Sequence, residues 1–301
     1  MTGKSFLVLL AVTFFFFSAA DSICQDDGGE YFYIVPYVPS DQSRVEQMLR
    51  TAGTHSGDTV YDLGCGDGRI VITAAKKFGA DGVGVEINSG LIGKSERNAV
   101  KEGVADKVRF IKQDLFAADI SDATVVTLYL TELVNLKLRP KLFEELTPGT
   151  RIVSSNFDMG EWKPDPPDIP DYDKRNRIFL WIIPANVSGT WELNVPDSSG
   201  AKRSTLNITQ KYQEIHGKLT RNEQVIPISS ITINGGLLRF TIEEEAGGEK
   251  VVNTFEGLVR GDSIEGTVVN STDSEMPESA WSAIRDPSTA LRIYDTEIKF
   301  H

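Results

Sequence analysis

The chain has 301 residues and carries 43 acids against 31 bases, a formal net charge of -12, which excludes a protein that grips nucleic acid nonspecifically through a basic face. Its 40% hydrophobic and 25% charged residues are those of a globular protein, and the length is enough for two domains. Two cysteines, Cys24 and Cys65, give no disulfide framework, and three scattered histidines (His55, His216, His301) show no metal-ligand spacing, so no structural metal is expected.

Residues 1–20 read as a targeting segment. Lys4 supplies a positive start, residues 6–17 an apolar run, and Ser18-Ala19-Ala20 a small-residue patch suited to cleavage. The run is shorter than the roughly 20 residues a spanning helix needs. The expectation is a cleaved signal and an exported, periplasmic or secreted, protein; an uncleaved membrane anchor is the alternative. Residues 26–40 are expected to be extended, because Pro36 and Pro39 bias them away from helix. Tyr37 within them is either part of an arm packed on the domain or a lid over a ligand. Ser40 is expected to cap a helix over 41–52 that turns Val45, Met48 and Leu49 to one side.

The stretch Val60-Tyr61-Asp62-Leu63-Gly64-Cys65-Gly66-Asp67-Gly68-Arg69-Ile70 begins as an apolar strand and ends as a helix over 69–78. Between them stand an acid and three glycines at every second position. Glycines there let the backbone turn sharply and let a ligand lie against the main chain. The helix that follows points free N–H groups at the occupant. About two dozen residues after Asp62, a buried strand over 82–87 carries Glu86 near its end, where a nucleotide-binding α/β fold keeps the acid that accepts from ribose hydroxyls. A third strand, 107–112, leads into Gln113-Asp114. Acids at Asp62 and Asp67 would repel a pyrophosphate, and no Gly-Lys-Ser/Thr serves a triphosphate.

The alternation continues with a strand over 123–130, a helix over 134–145, a turn at Pro148-Gly149 and a strand over 150–156. A loop over 159–175 with four prolines (Pro164, Pro166, Pro167, Pro170) precedes a last apolar strand, 177–184. Continuous apolar strands alternating with helices predict a doubly wound, mostly parallel α/β sheet covered on both faces. Near residue 185 the pattern changes. Short strands are expected over 189–195, 204–210, 212–220, 225–233, 237–243, 251–259, 263–269 and 280–285, with turns such as Asn234-Gly235-Gly236 and Gly261-Asp262. Eight such strands without a helix predict an up-and-down all-β barrel or sandwich. The expected domains are therefore 1–20, 21–184 and 185–301. The last carries no catalytic constellation; it packs, docks a substrate or encloses a ligand. Asn186-Val-Ser188, Asn207-Ile-Thr209 and Asn270-Ser-Thr272 match the N-glycosylation acceptor and read more simply as turn or strand residues.

Together these segments resemble the seven-strand (class I) S-adenosylmethionine-dependent methyltransferases. Asp62-x-Gly64-x-Gly66-x-Gly68 is similar to their first motif, and the resemblance implies Glu86 as the ribose acid and Asp114, with Leu115 beside it, at the adenine. It also implies that Asp62 and Asp67 face a cofactor with a cationic sulfonium and amino group, and that Tyr37, in its lid reading, covers that cofactor. Pro36-Tyr37-Val38-Pro39-Ser40, Asp67-Gly68-Arg69, Leu138-Arg139-Pro140-Lys141-Leu142 and Pro148-Gly149-Thr150-Arg151-Ile152-Val153-Ser154 further resemble a family of protein lysine methyltransferases. Its eukaryotic members are membrane-anchored mitochondrial enzymes acting on the ATP synthase c-subunit or the adenine nucleotide carrier. The resemblance covers about residues 33–184. It implies N-methylation of a lysine in a protein, including a membrane-associated one, and not a nucleic acid. The acceptor must shed a proton from a pKa near 10.4, which an apolar slot assists. Glu132, just past the fourth strand, is the candidate to orient the acceptor or receive that proton; alternatively it only supports the start of the next helix. A small-molecule methyltransferase and a noncatalytic S-adenosylmethionine-binding protein share the same cofactor motifs.

Overall fold

The computed structural model describes residues 22–25, 31–34, 37–165, 177–197, 200–246, 249–270 and 278–296. The expected targeting segment and most of the proline-rich loop lie outside them. The chain divides into two units, Met1–Tyr37 and Val38–His301. In the first, β1 (Ser22–Gln25) and β2 (Tyr31–Ile34) pair antiparallel, Ser22 opposite Ile34. The extended reading of 31–34 holds; four residues at 22–25 were too few to stand out as a strand.

The second unit opens with α1 (Gln42–Thr51), whose Val45, Met48 and Leu49 are fully buried. Ser40 does not cap it. The cap position falls on Asp41, without a side-chain cap bond, while Ser40 is buried and its carbonyl accepts from the Arg69 guanidinium. Then come β3 (Thr59–Leu63), α2 (Arg69–Thr73) continuing as a π-helical turn over Ala74–Phe78, β4 (Asp81–Glu86), α3 (Ser89–Glu102) and β5 (Val108–Lys112). After them follow β6 (Val125–Leu128), α4 (Glu132–Glu145), β7 (Arg151–Ser155) and β8 (Ile178–Ile182). These six strands form one sheet in the order β5-β4-β3-β6-β7-β8, parallel throughout except β8. The chain starts in the middle, runs outward through β4 and β5, then returns to β6. The strand order thus reverses between β3 and β6, where ligands of open α/β sheets bind.

Alternation within each strand sets the two faces. Val60, Val125, Val153 and Ile178 pack with Val45, Met48, Leu49, Ile70 and Ala74 in one cluster beneath α1 and α2. On α4, Asn135 meets Ser154 of β7, and Pro140 sits inside the helix. Along the outer edge of β8, Asp165 forms a bridge with Leu180. The Asp165 carboxylate accepts the Ile182 amide at 2.8 Å, which satisfies an edge donor that a full strand would have taken.

From residue 189 the chain builds β9 (Gly189–Asp197), β10 (Gly200–Lys211), β11 (Glu214–Arg221), β12 (Gln224–Ile226), β13 (Ile228–Asn234), β14 (Leu237–Ala246), β15 (Glu249–Arg260), β16 (Ser263–Asn270) and β17 (Glu278–Arg285). Among the described residues nine strands stand where eight were expected, because Pro227, which donates no hydrogen bond, splits the apolar run 225–233. All pairings are antiparallel and up-and-down, and the first strand pairs with the last, β9 with β17. The sheet nearly closes at the opposite seam. A Cβ on Gly217 of β11 would lie 2.8 Å from Ile231 of β13. Its interior is filled: Phe240 stacks on Phe255 at 4.5 Å, and Trp281 meets both edge-on. Gly257 makes the space for Trp281, whose indole N–H donates to the Glu256 and Thr267 carbonyls, while Gly266 opposite lets the two backbones approach closely. Asn186 serves structure, since its Nδ2 donates to the Leu291 carbonyl and its Oδ1 accepts from Ser188.

The two sheets meet through aromatic rings. Trp162 stacks on Tyr212 and tilts against Phe143, which itself stacks on Tyr294. Lys163 pairs with Glu214 and Lys211 with Glu161 around that cluster. These contacts lie on the second half of α4 and on 159–163.

Candidate functional site

The site is built at the C-terminal ends of β3, β4 and β5. β3 ends at Leu63, and three glycines turn the chain into α2 with left-handed φ: 85° at Gly64, 55° at Gly66 and 80° at Gly68. An L-residue is strained in that region. Space also forbids a side chain, for a Cβ on Gly68 would stand 2.7 Å from Phe110 and Ser95, and one on Gly64 3.0 Å from Leu130. The turn is stitched to β4 by the amides of Gly64 and Cys65, both donating to the Val85 carbonyl.

Glu86 ends β4 and reaches back. Its Oε2 accepts from the Gly66 amide at 3.1 Å and its Oε1 from the Asn88 amide at 2.9 Å. The Gln113 amide donates to the Glu86 carbonyl, which brings Asp114 beside it. Asp114 is half-buried and opens a turn in which its carboxylate accepts from the Phe116 amide at 2.9 Å, with Leu115 also half-buried.

Asp62 is buried, with Oδ1 accepting from the Thr127 hydroxyl at 2.7 Å. Burial pushes its pKa up to about 7; Thr127 opposes the rise, and the charges of Glu86 and Asp67 add to it. Burial likewise pushes the Cys65 thiol up, so that side chain is a neutral filler against Gly84. Asp67 departs from expectation. Its two oxygens bind the Arg69 guanidinium bidentately at 2.8 and 2.7 Å, and Lys94 lies 3.4 Å away. Its charge is spent inside the protein, so any pull on a cation falls to Asp62 and Glu86. Neither of those two is ion-paired among the described residues. Two uncompensated carboxylates over a glycine turn fit a ligand with hydroxyl donors and positive charge.

Glu132 is the first residue of α4, exposed, and well placed for the helix dipole. Tyr37 belongs to the first unit and is exposed; the site just described is built from the second. Three side chains that tie these elements together by hydrogen bonds were not singled out from the sequence. Arg69 links Asp67 to the Ser40 carbonyl. Arg44, buried in α1, donates to Ser155 and Asn156 at the end of β7. Thr127 holds Asp62. Each carried a signal, a polar residue inside an apolar period, but its partner lay on another element.

Sheet order, glycine turn and strand-end acids define a class I S-adenosylmethionine-dependent methyltransferase. Residues 62–166 match the family described as the ANTKMT methyltransferase domain. A protein-lysine N-methyltransferase of Saccharolobus islandicus is 46% identical over 151 residues, 50% of this chain and 94% of that protein. A human lysine N-methyltransferase of the ATP synthase c-subunit is 35% identical over 44% of this chain and 55% of its own length. The chain thus spans a little over half the length of that human relative. A solved RNA methyltransferase of Salinibacter ruber, in complex with S-adenosyl-L-homocysteine, is 52% identical, covering 48% of this chain and 93% of that one at a TM-score of 0.46. The chain belongs to the family of the Saccharolobus protein-lysine N-methyltransferase.

Proposed function

We propose that this protein N-methylates a lysine of a protein substrate, with S-adenosylmethionine held at the glycine turn. The observation that carries the reading is the pair of acids, Asp62 and Glu86, without a cation partner among the described residues, at a turn whose three glycines sit in left-handed conformation. Gly64, Gly66 and Gly68 give the ligand close approach to the main chain. Glu86 takes the ribose hydroxyls, Asp114 and Leu115 the adenine, and Asp62 the amino group.

The bound sulfonium supplies an already activated methyl group, so the protein's part is alignment and exclusion of water. Glu132, which opens α4 beyond the end of β6, orients the acceptor amine or takes its proton. An RNA acceptor, the kind named for the Salinibacter protein, is disfavoured by the net charge of -12. The test is labelled S-adenosylmethionine added to a lysate and to membranes, followed by protease and nuclease digestion. Label that protease releases and nuclease leaves supports the lysine reading; label lost to nuclease overturns it.

We also infer that residues 1–20 route the chain out of the cytosol or anchor it to a membrane, on the strength of the apolar run 6–17 and the small residues after it. An anchor would place the site beside membrane proteins. Full-length protein with Met1 retained in the soluble cytosol would reject this. No helix among the described residues is long and apolar enough to cross a membrane.

A further inference from the structure

We infer that Thr127 is a positioning residue, whose hydroxyl keeps the buried Asp62 carboxylate in place and ionisable for the ammonium group at the methionyl end of the cofactor. This rests on the reading that S-adenosylmethionine lies at the glycine turn. β6 is Val125-Val126-Thr127-Leu128, and all four residues are fully buried. A valine at 127 would match its neighbours in shape and in strand preference. A hydroxyl buried there costs free energy unless it is bonded. Its bond goes to Asp62, the residue directly opposite in the parallel register, with the Tyr61 carbonyl at 3.3 Å as the weaker alternative.

Asp62 needs such a partner because its surroundings oppose its charge. From the turn it faces Asp67, already neutralised by Arg69 and Lys94, and the neutral thiol of Cys65. From β4 it faces Glu86; from β6 only the Thr127 hydroxyl helps. With its pKa at about 7, Asp62 is partly protonated near neutrality. A ligand ammonium would supply the missing positive charge, draw the pKa down and expel a proton. By the same linkage, affinity rises with pH through this range.

The test is calorimetry with S-adenosylhomocysteine and with 5′-methylthioadenosine, which keeps the nucleoside and lacks the amino-acid end. The wild-type protein should release protons on binding S-adenosylhomocysteine at about pH 6.5, seen as a dependence of the heat on the buffer, and none on binding methylthioadenosine. Thr127→Val should weaken S-adenosylhomocysteine about tenfold at neutral pH and leave methylthioadenosine within about twofold, while Thr127→Ser should behave as wild type. Equal losses for both ligands, or no loss for either, would show Thr127 to be a packing residue only. Absence of proton release by the wild-type protein would overturn the proposal even if Thr127→Val failed to fold. A wild-type protein that bound neither ligand would instead remove the cofactor reading beneath it.

Discussion

The Gly66 amide donates to Oε2 of Glu86 across 3.1 Å, so the apex of the glycine turn and the acid that ends β4 form one unit. The other oxygen of that carboxylate holds the Asn88 amide, just before α3. A carboxylate has about four acceptor sites, so each oxygen can still take a ligand hydroxyl.

Glu86→Ala should therefore do two things. It removes the ribose acceptor, and it frees the Gly66 amide. The loss should be about 1–3 kcal/mol of affinity for S-adenosylhomocysteine, with Glu86→Gln intermediate because one acceptor oxygen remains. Calorimetry that finds the alanine variant as tight as wild type would separate Glu86 from the site.

Gly68→Ala is predicted to cost stability as well as binding. Its φ of 80° and the 2.7 Å approach to Phe110 and Ser95 leave no place for a methyl group. A penalty on the order of 1–3 kcal/mol follows from strain and overpacking. Urea denaturation should show it without ligand; an unchanged midpoint would contradict the close packing described.

Asp62 ties stability to pH. Its folded pKa of about 7 stands above the ordinary 3.8. Between those values the folded state holds a proton that the unfolded state has released, so this group's contribution to stability falls as pH rises through the window and levels off above about 7. Asp62→Asn removes that dependence. The variant should melt higher than wild type at pH values above about 7 in the absence of ligand, and bind S-adenosylhomocysteine more weakly. A lower melting temperature for the variant at alkaline pH would refute the buried-charge account.

The two sheets are joined by an aromatic cluster. Trp162, fully buried between Phe143 and Tyr212, argues for coupling. Trp162→Ala should cost roughly 3–5 kcal/mol, and a fragment ending at residue 184 should be less stable than the full chain because Phe143 and Trp162 lose Tyr212 and Tyr294. The fragment should nevertheless keep its cofactor contacts, since Gly66, Glu86 and Asp114 lie at the strand ends and the joint lies on α4 and 159–163. Full stability in the fragment would show that the aromatic joint contributes nothing.

The strands and the glycine turn were legible because their signals are local: apolar runs, glycine spacing, an acid at a strand end. Glu86 could be located from its distance to Asp62 along the chain, but its bond to Gly66 could not. Asp67 misled, because its charge looked available until Arg69, two residues on, was seen to fold back onto it through the left-handed Gly68. Ser40 misled for a similar reason: a good capping residue found a guanidinium for its carbonyl instead. Pro227 was in plain view within the run 225–233 and was outweighed there by the apolar residues on either side. Thr127 was invisible as a functional residue, because only the pairing of β3 with β6 places it opposite Asp62.

The most direct test of the central claim is residue-level mapping of methyl transfer. The purified protein is incubated with isotopically labelled S-adenosylmethionine and a protein acceptor drawn from the lysate screen, and the product is sequenced by tandem mass spectrometry. The account predicts label on a lysine side-chain nitrogen, formed by the wild-type protein and reduced by Glu86→Ala in step with its lost affinity. Label on a nucleic acid or a small molecule, or transfer that Glu86→Ala leaves untouched, would contradict it.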